Sequence, residues 1–124
     1  YDPALAAAQL TSFKKVRHLF EGDFFPLTPY SPSEKAWLGW QFHREDLDEG
    51  VALLFRRAEA AGTKRTVKLR SLDPAQTYRI RVEGEGQLST TEVDGAALAE
   101  GLEATLTEPE SSLLIHYRAL AEAQ

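Results

Sequence analysis

Short segments in which apolar and polar residues alternate recur along this chain at intervals of about ten residues, a pattern that restricts it to antiparallel β architecture. Residues 36–43 set Leu38, Trp40 and Phe42 against Trp37, Gly39, Gln41 and His43. Residues 50–57 set Val51, Leu53 and Phe55 against Ala52, Leu54 and Arg56. In residues 64–71, Val67 and Leu69 share one face and Lys68 and Arg70 the other; in 76–82, Tyr78, Ile80 and Val82 oppose Arg79 and Arg81. Two further segments, 102–106 and 112–118, close the series. A period of two is the signature of a strand, because successive side chains point to opposite faces. Turn-rich stretches separate the segments at 45–50, 58–62, Asp73-Pro74 and Glu108-Pro109. The spacing predicts about six or seven strands in a β-sandwich. Residues 94–100 are too rich in alanine for a strand and predict one or two helical turns. Pro26, Pro29 and Pro32 forbid a helix and a central strand over 23–33, and predict an extended segment or an edge strand.

The N-terminal stretch follows a different period. Asp2 is a good N-cap, Pro3 suits the first helical position, and Leu10, Phe13, Val16 and Phe20 recur at spacings of three and four. A helix is expected over 3–20, with Lys14, Lys15, Arg17 and His18 at the negative end of its dipole and Gly22 as its stop. By pattern this helix does not belong to a sandwich and reads as the tail of something upstream. The division expected is 1–22 for the helix and 23–124 for the β domain. Methionine is absent and the chain starts at Tyr1, so a processed protein or a piece of a longer one is expected.

Composition sets the limits on function. A chain of 124 residues suffices for one domain with its own core. Nineteen acidic against 14 basic side chains give a net charge of −5, which argues against a nucleic-acid partner. Apolar runs are too short to span a membrane as a helix. Cysteine is absent, which excludes disulfides, thiolate metal sites and a cysteine nucleophile but leaves the compartment open.

Few residues carry a chemical signal. His18, His43 and His116 have no metal-ligand spacing, so no metal site and no cofactor is expected. His43 and His116 fall opposite the main apolar stripes and are expected at the surface or half-buried. The four carboxylates of 45–50 lack the alternating spacing of a calcium loop and read as a solvated hairpin turn. Ser112 and His116 share a strand face about 13 Å apart, too far for a nucleophile and its base. No pair of acids stands out as a catalytic couple, so no catalytic residue is assigned. Lys64, Lys68, Arg70, Arg79 and Arg81, with Arg56 and Arg57 nearby, form a basic stripe. It reads as a solvated sheet face paired with Glu83, Glu85 or Glu92 in preference to an anion- or partner-docking face. Trp37 and Trp40 lie on opposite strand faces, one in the core and one outward. The outward ring, beside Tyr30 or His43, either packs against a neighbouring domain or stacks on a sugar ring. Trp37, Trp40 and Tyr30 are therefore the candidate carbohydrate or interface contacts.

Three stretches carry a family likeness. Residues 22–31 (Gly-Asp-Phe-Phe-Pro-Leu-Thr-Pro-Tyr-Ser), 36–42 (Ala-Trp-Leu-Gly-Trp-Gln-Phe) and 49–57 (Glu-Gly-Val-Ala-Leu-Leu-Phe-Arg-Arg) resemble the C-terminal end of glycoside hydrolase family 36 proteins, the α-galactosidase type. Leu69–Pro74 with Tyr78, Asp94-Gly95, Leu98 to Leu102 and Ser111–Tyr117 extend the resemblance over nearly the whole chain. It implies an all-β, antiparallel Greek-key β-sandwich that follows a (β/α)8 catalytic barrel, with 3–20 as the last barrel helix. The family's catalytic aspartates lie in the barrel, and no position here matches their motifs. The implied partner is the chain's own upstream barrel, and the implied role is to stabilise that barrel in α-galactoside hydrolysis. The alternative is a free-standing module that binds carbohydrate or protein, or one that sets a homo-oligomer.

Overall fold

The computed structural model describes residues 14, 16–28, 37–57, 59–60, 62–84, 87–107 and 111–120. A 3-10 turn, η1 (Arg17–Glu21), leads into β1 (Asp23–Pro26), β2 (Trp37–Arg44), β3 (Glu49–Arg56), β4 (Lys64–Val67), β5 (Thr77–Gly84) and β6 (Gln87–Asp94). A short helix, α1 (Gly95–Glu100), then precedes β7 (Leu102–Thr105) and β8 (Ser111–Ala119). Six strands form one antiparallel sheet in the order β1-β2-β3-β8-β5-β6, and β4 pairs with β7 in a second, two-stranded sheet. The last strand therefore sits in the middle of the large sheet, between β3 and β5. The result is the expected all-β sandwich, with unequal layers.

The core lies between the layers. The large sheet contributes Trp37, Ala52, Leu54, Tyr78, Ile80, Leu113, Ile115 and Tyr117; Val67, Leu69, Leu98, Ala104 and Leu106 close it from the other side. Each large aliphatic side chain buried in this way contributes about 1.5–3 kcal/mol. Two polar bridges tie the layers together. The Gln41 amide spans to the backbone of Arg70, and the Arg56 guanidinium donates to the carbonyls of Ala60, Leu106 and Thr107.

Several expectations change on folding. The inner face of β2 is Trp37, Gly39, Gln41 and His43, all buried, while Leu38, Trp40 and Phe42 point outward and are only half-buried. His43, expected at the surface or half-buried, is 1% exposed. Counting apolar residues chose the wrong face because the Gln41 amide and His43 Nδ1 find hydrogen-bond partners inside, which offsets much of the cost of burying them. A whole strand, β6, has no stripe in the sequence. Leu88 and Val93 are its only large apolar residues and fall on opposite faces, as an edge strand with most of its surface in water permits. The segment read as a strand over 64–71 ends at Val67.

The N-terminal helix expected over 3–20 lies mostly outside the described residues. Its described part is α-helical at Lys14 and Val16 and then tightens into the 3-10 turn η1, with three residues per turn. Val16 and Leu19 therefore share a face and pack on Val51, with Phe20, Phe42 and Leu114 around them. Leu19, which a 3.6-residue period leaves off the stripe, is fully buried. Gly22 is not a left-handed helix stop: its backbone is extended, at φ −83° and ψ −169°. Glycine is required there because a Cβ would meet the carbonyl of His43.

Candidate functional site

Two polar assemblies flank the large sheet, and they differ in accessibility. The inner one is closed. Gln41 Nε2 donates to the Arg70 carbonyl at 2.8 Å and to the Tyr117 hydroxyl at 2.7 Å, while Gln41 Oε1 accepts from the Arg70 N–H at 2.7 Å. The Tyr117 hydroxyl, having accepted from Gln41, donates its own proton to His43 Nδ1 at 2.8 Å. That chain of donors assigns the ring proton of His43 to Nε2, which faces the Glu45 carboxylate at 3.2 Å. The Tyr78 hydroxyl donates to Asp48 Oδ1 at 2.7 Å and accepts from the Asp73 N–H at 3.0 Å. The turn over 45–50 is thus a hairpin turn as expected, but two of its acids are held by the sheet: Asp48, a third exposed, is engaged by Tyr78, and Glu49 is 8% exposed.

Burial pushes both phenols well above the ordinary tyrosine pKa; for Tyr78, the bond to the Asp48 carboxylate adds to this. The folded chain therefore keeps the protons of Tyr78 and Tyr117 where the unfolded chain has lost them. The associated stability is complete below about pH 10 and is lost as the pH rises beyond it, by about 1.4 kcal/mol per pH unit for each tyrosine. The urea midpoint is expected to change little up to pH 9 and to fall between pH 10 and 11. Tyr117→Phe, although less stable at pH 7, should show the shallower alkaline fall; an equal fall in both proteins would show that Tyr117 does not carry it.

The outer face of the large sheet is open, and the registers divide it in two. Leu38, Trp40 and Phe42 of β2, Val51, Leu53 and Phe55 of β3, and Leu114 of β8 form an apolar half. Turn η1 covers part of it at Val51 and Phe42. The remainder is partly exposed: Phe55 is 37% exposed, and Trp40 packs against it at 5.6 Å between ring centres. At the edge, Phe24 of β1 is exposed beside Phe42. The other half is basic. Arg79 and Arg81 of β5 stand beside Arg118 and His116 of β8. Glu49 separates the halves, its carboxylate 2.6 Å from His116 Nε2 and 3.5 Å from His18 Nε2.

The candidates from the sequence are distributed as follows. Trp37 is the core tryptophan, 4% exposed, and Trp40 is the outward one. Tyr30 lies outside the described residues. The expected basic stripe is not one face. Lys64 pairs with Glu103 at 3.7 Å on the small sheet, and Arg70 covers the ring of Phe25 at 5.4 Å to its centre, whereas Arg79 and Arg81 belong to the large sheet. Their true neighbours, Arg118 and His116, come from β8 and were not grouped with them. Their i, i+2 spacing puts them on one strand face, but nothing local in the sequence says that β8 lies next to β5.

An acidic groove of about 420 Å³ opens beside His43, between Glu21, Asp23, Glu45 and Asp46. Arg44 holds Asp46 through two hydrogen bonds, at 2.6 and 3.1 Å, and keeps its carboxyl below the usual carboxylate range. Among the described residues, no three histidine or carboxylate side chains converge as a metal site. None of the described helices is long and apolar enough to cross a membrane.

No curated protein sequence matches the chain. A family model does, over residues 37–116, from the first residue of β2 into β8, and so takes in both layers of the sandwich. With its strands, core and matched span in agreement, the chain belongs to the glycosyl hydrolase family 36 C-terminal domain.

Proposed function

We propose that this chain is the non-catalytic C-terminal sandwich of an α-galactosidase-like glycoside hydrolase, and that it stabilises the catalytic barrel preceding it. Family membership supports a place in a glycoside hydrolase. The observation that carries the stabilising role is the apolar half of the outer sheet face, where Trp40, Phe55 and Phe24 leave aromatic surface in water next to the turn that enters the domain. Apolar surface of this kind at a chain junction marks an interface. In this reading residues 1–22 are the last barrel helix, and the sandwich from residue 23 buries its end and covers the barrel.

Deleting residues 23–124 from the intact enzyme is expected to leave it insoluble or to lower its Tm by 10 °C or more, roughly what the loss of a few kcal/mol of interface does. An unchanged Tm and kcat would refute the stabilising role. A finer test is Phe55→Ser, which should cost the intact enzyme about 2 kcal/mol, as a buried interface aromatic does. In the 124-residue chain, where Phe55 touches water and the edge of Trp40, the cost should be clearly smaller. Equal costs would mean that the face is not covered. Titration with galactose and raffinose, followed by tryptophan fluorescence, separates this reading from a carbohydrate-binding module. Saturable quenching abolished by Trp40→Ala in a folded chain would favour sugar binding.

A further inference from the structure

The basic half of the outer face lies apart from the apolar half on which the proposed docking to the barrel rests. Arg79 and Arg118 are direct cross-strand partners, and Arg81 is the direct partner of His116. The two guanidiniums of Arg79 and Arg118 repel in that register, and strands ordinarily place an acid opposite a base. The nearby acids do not neutralise the cluster. Glu49 lies opposite Arg118 on β3 but gives its carboxylate to His116 and His18. Glu92 reaches Arg79 only at 3.4 Å, with both side chains about half exposed, so water and salt screen the pair. Glu83, next on the same face of β5, forms no ion pair with either remaining arginine. Among the described residues, Arg81 and Arg118 have no carboxylate partner, in a chain whose net charge is −5.

These side chains line a groove of about 360 Å³, within the range of small-ligand sites. The Thr90 hydroxyl and the Leu88 side chain border it on β6. Guanidinium groups present paired N–H donors that match the two oxygens of a carboxylate or a phosphoryl group. We propose that this groove binds a small organic anion through its oxyanion, carboxylate or phosphoryl, held between Arg81 and Arg118 and flanked by Arg79 and His116. Leu88 gives the body of the ligand an apolar rest, and the anion relieves the repulsion between the strands.

The test is calorimetric titration of the 124-residue chain, which closes its own core, with citrate and with inorganic phosphate. Sodium chloride at matched ionic strength controls for screening. Saturable binding of either anion, weakened about tenfold or more in Arg81→Gln/Arg118→Gln, supports the site; losing one charge-assisted contact corresponds to about that factor. Preference for citrate assigns a carboxylate ligand, and preference for phosphate a phosphoryl one. Arg81→Lys keeps the charge and removes the fork, and should weaken binding by about threefold to tenfold with the fold intact. Both positions touch water, so the circular dichroism of the variants should match that of the parent. Heat no greater than with chloride, or binding unchanged in the double variant, overturns the proposal.

Discussion

Replacing Gly50 with alanine should cost the sandwich at least about 3 kcal/mol and lower its Tm by about 10 °C or more. Gly50 follows Glu49 in β3 and pairs with Tyr117 on one side and His43 on the other. A Cβ there would meet the Tyr117 ring and hydroxyl and come within 2.5 Å of the Phe42 carbonyl. None of these can yield cheaply. The carbonyl is part of a strand, and the phenol is held by Gln41 and His43. Displacing the ring would take one bond from Gln41 and leave His43 Nδ1 without its partner. Conformational freedom is not the issue, since Gly50 has no positive φ; the close approach is. Thermal unfolding of Gly50→Ala checks this, and a Tm within about 3 °C of the parent would show that the phenol can move without breaking its bonds.

Gln41→Leu is the second large effect. The side chains have similar volume, so little cavity is created and hydrogen bonding dominates. The substitution leaves the Arg70 N–H and carbonyl without this partner and takes from the Tyr117 hydroxyl the donor it accepts from, leaving it only the bond to His43. At about 1–3 kcal/mol per buried group left unsatisfied, and with some of them reaching water beside the exposed Arg70, a loss of about 3–4 kcal/mol is expected. The loss should be local in character. Because Gln41 is the clasp between the large sheet and the strap over 68–72, hydrogen exchange of the Arg70 amide should rise more than that of Ile115 in the centre of the sheet. Uniform acceleration would mean that Gln41 supports the core as a whole. A cycle with Tyr117→Phe should be non-additive, because the two side chains share one bond.

The two effects share a cause that bears on how this domain is built. Tyr117 stands at the junction of three demands: it fills the core against Tyr78, it accepts the Gln41 amide, and it orients His43. A core assembled around such a residue has a single arrangement, since sliding β8 by one position along β3 would carry every one of these groups to the wrong face. The same register fixes the outer face, because Tyr117 inward requires His116 and Arg118 outward. The closed network and the open basic groove are thus opposite sides of one strand.

Much of the fold was legible locally. Strict alternation placed β2, β3, β5 and β8 to within a residue or two, since a strand half-buried on a twisted sheet must repeat every two residues. Turn chemistry marked the hairpin between β2 and β3. The family likeness carried by 22–31, 36–42 and 49–57 pointed to the sandwich that was found. Elements that lack a stripe were not legible. β6 is an edge with little to bury, and η1 winds with period three, so a 3.6-residue template misses Leu19.

The sequence by itself determined the strands that carry an alternating stripe and the family they belong to, because period and local motif are properties of neighbours along the chain. Only the tertiary structure decided which face of β2 is the inside. A glutamine and a histidine are poor core residues until Arg70 and Tyr117, 29 and 76 positions from Gln41, bond the amide, and Tyr117 also bonds His43 Nδ1. Only the tertiary structure placed Arg118 against Arg79 and separated both from Lys64. The order of strands in a sheet follows from which long-range pairings bury the most surface with the fewest unsatisfied groups, and no local pattern encodes that choice.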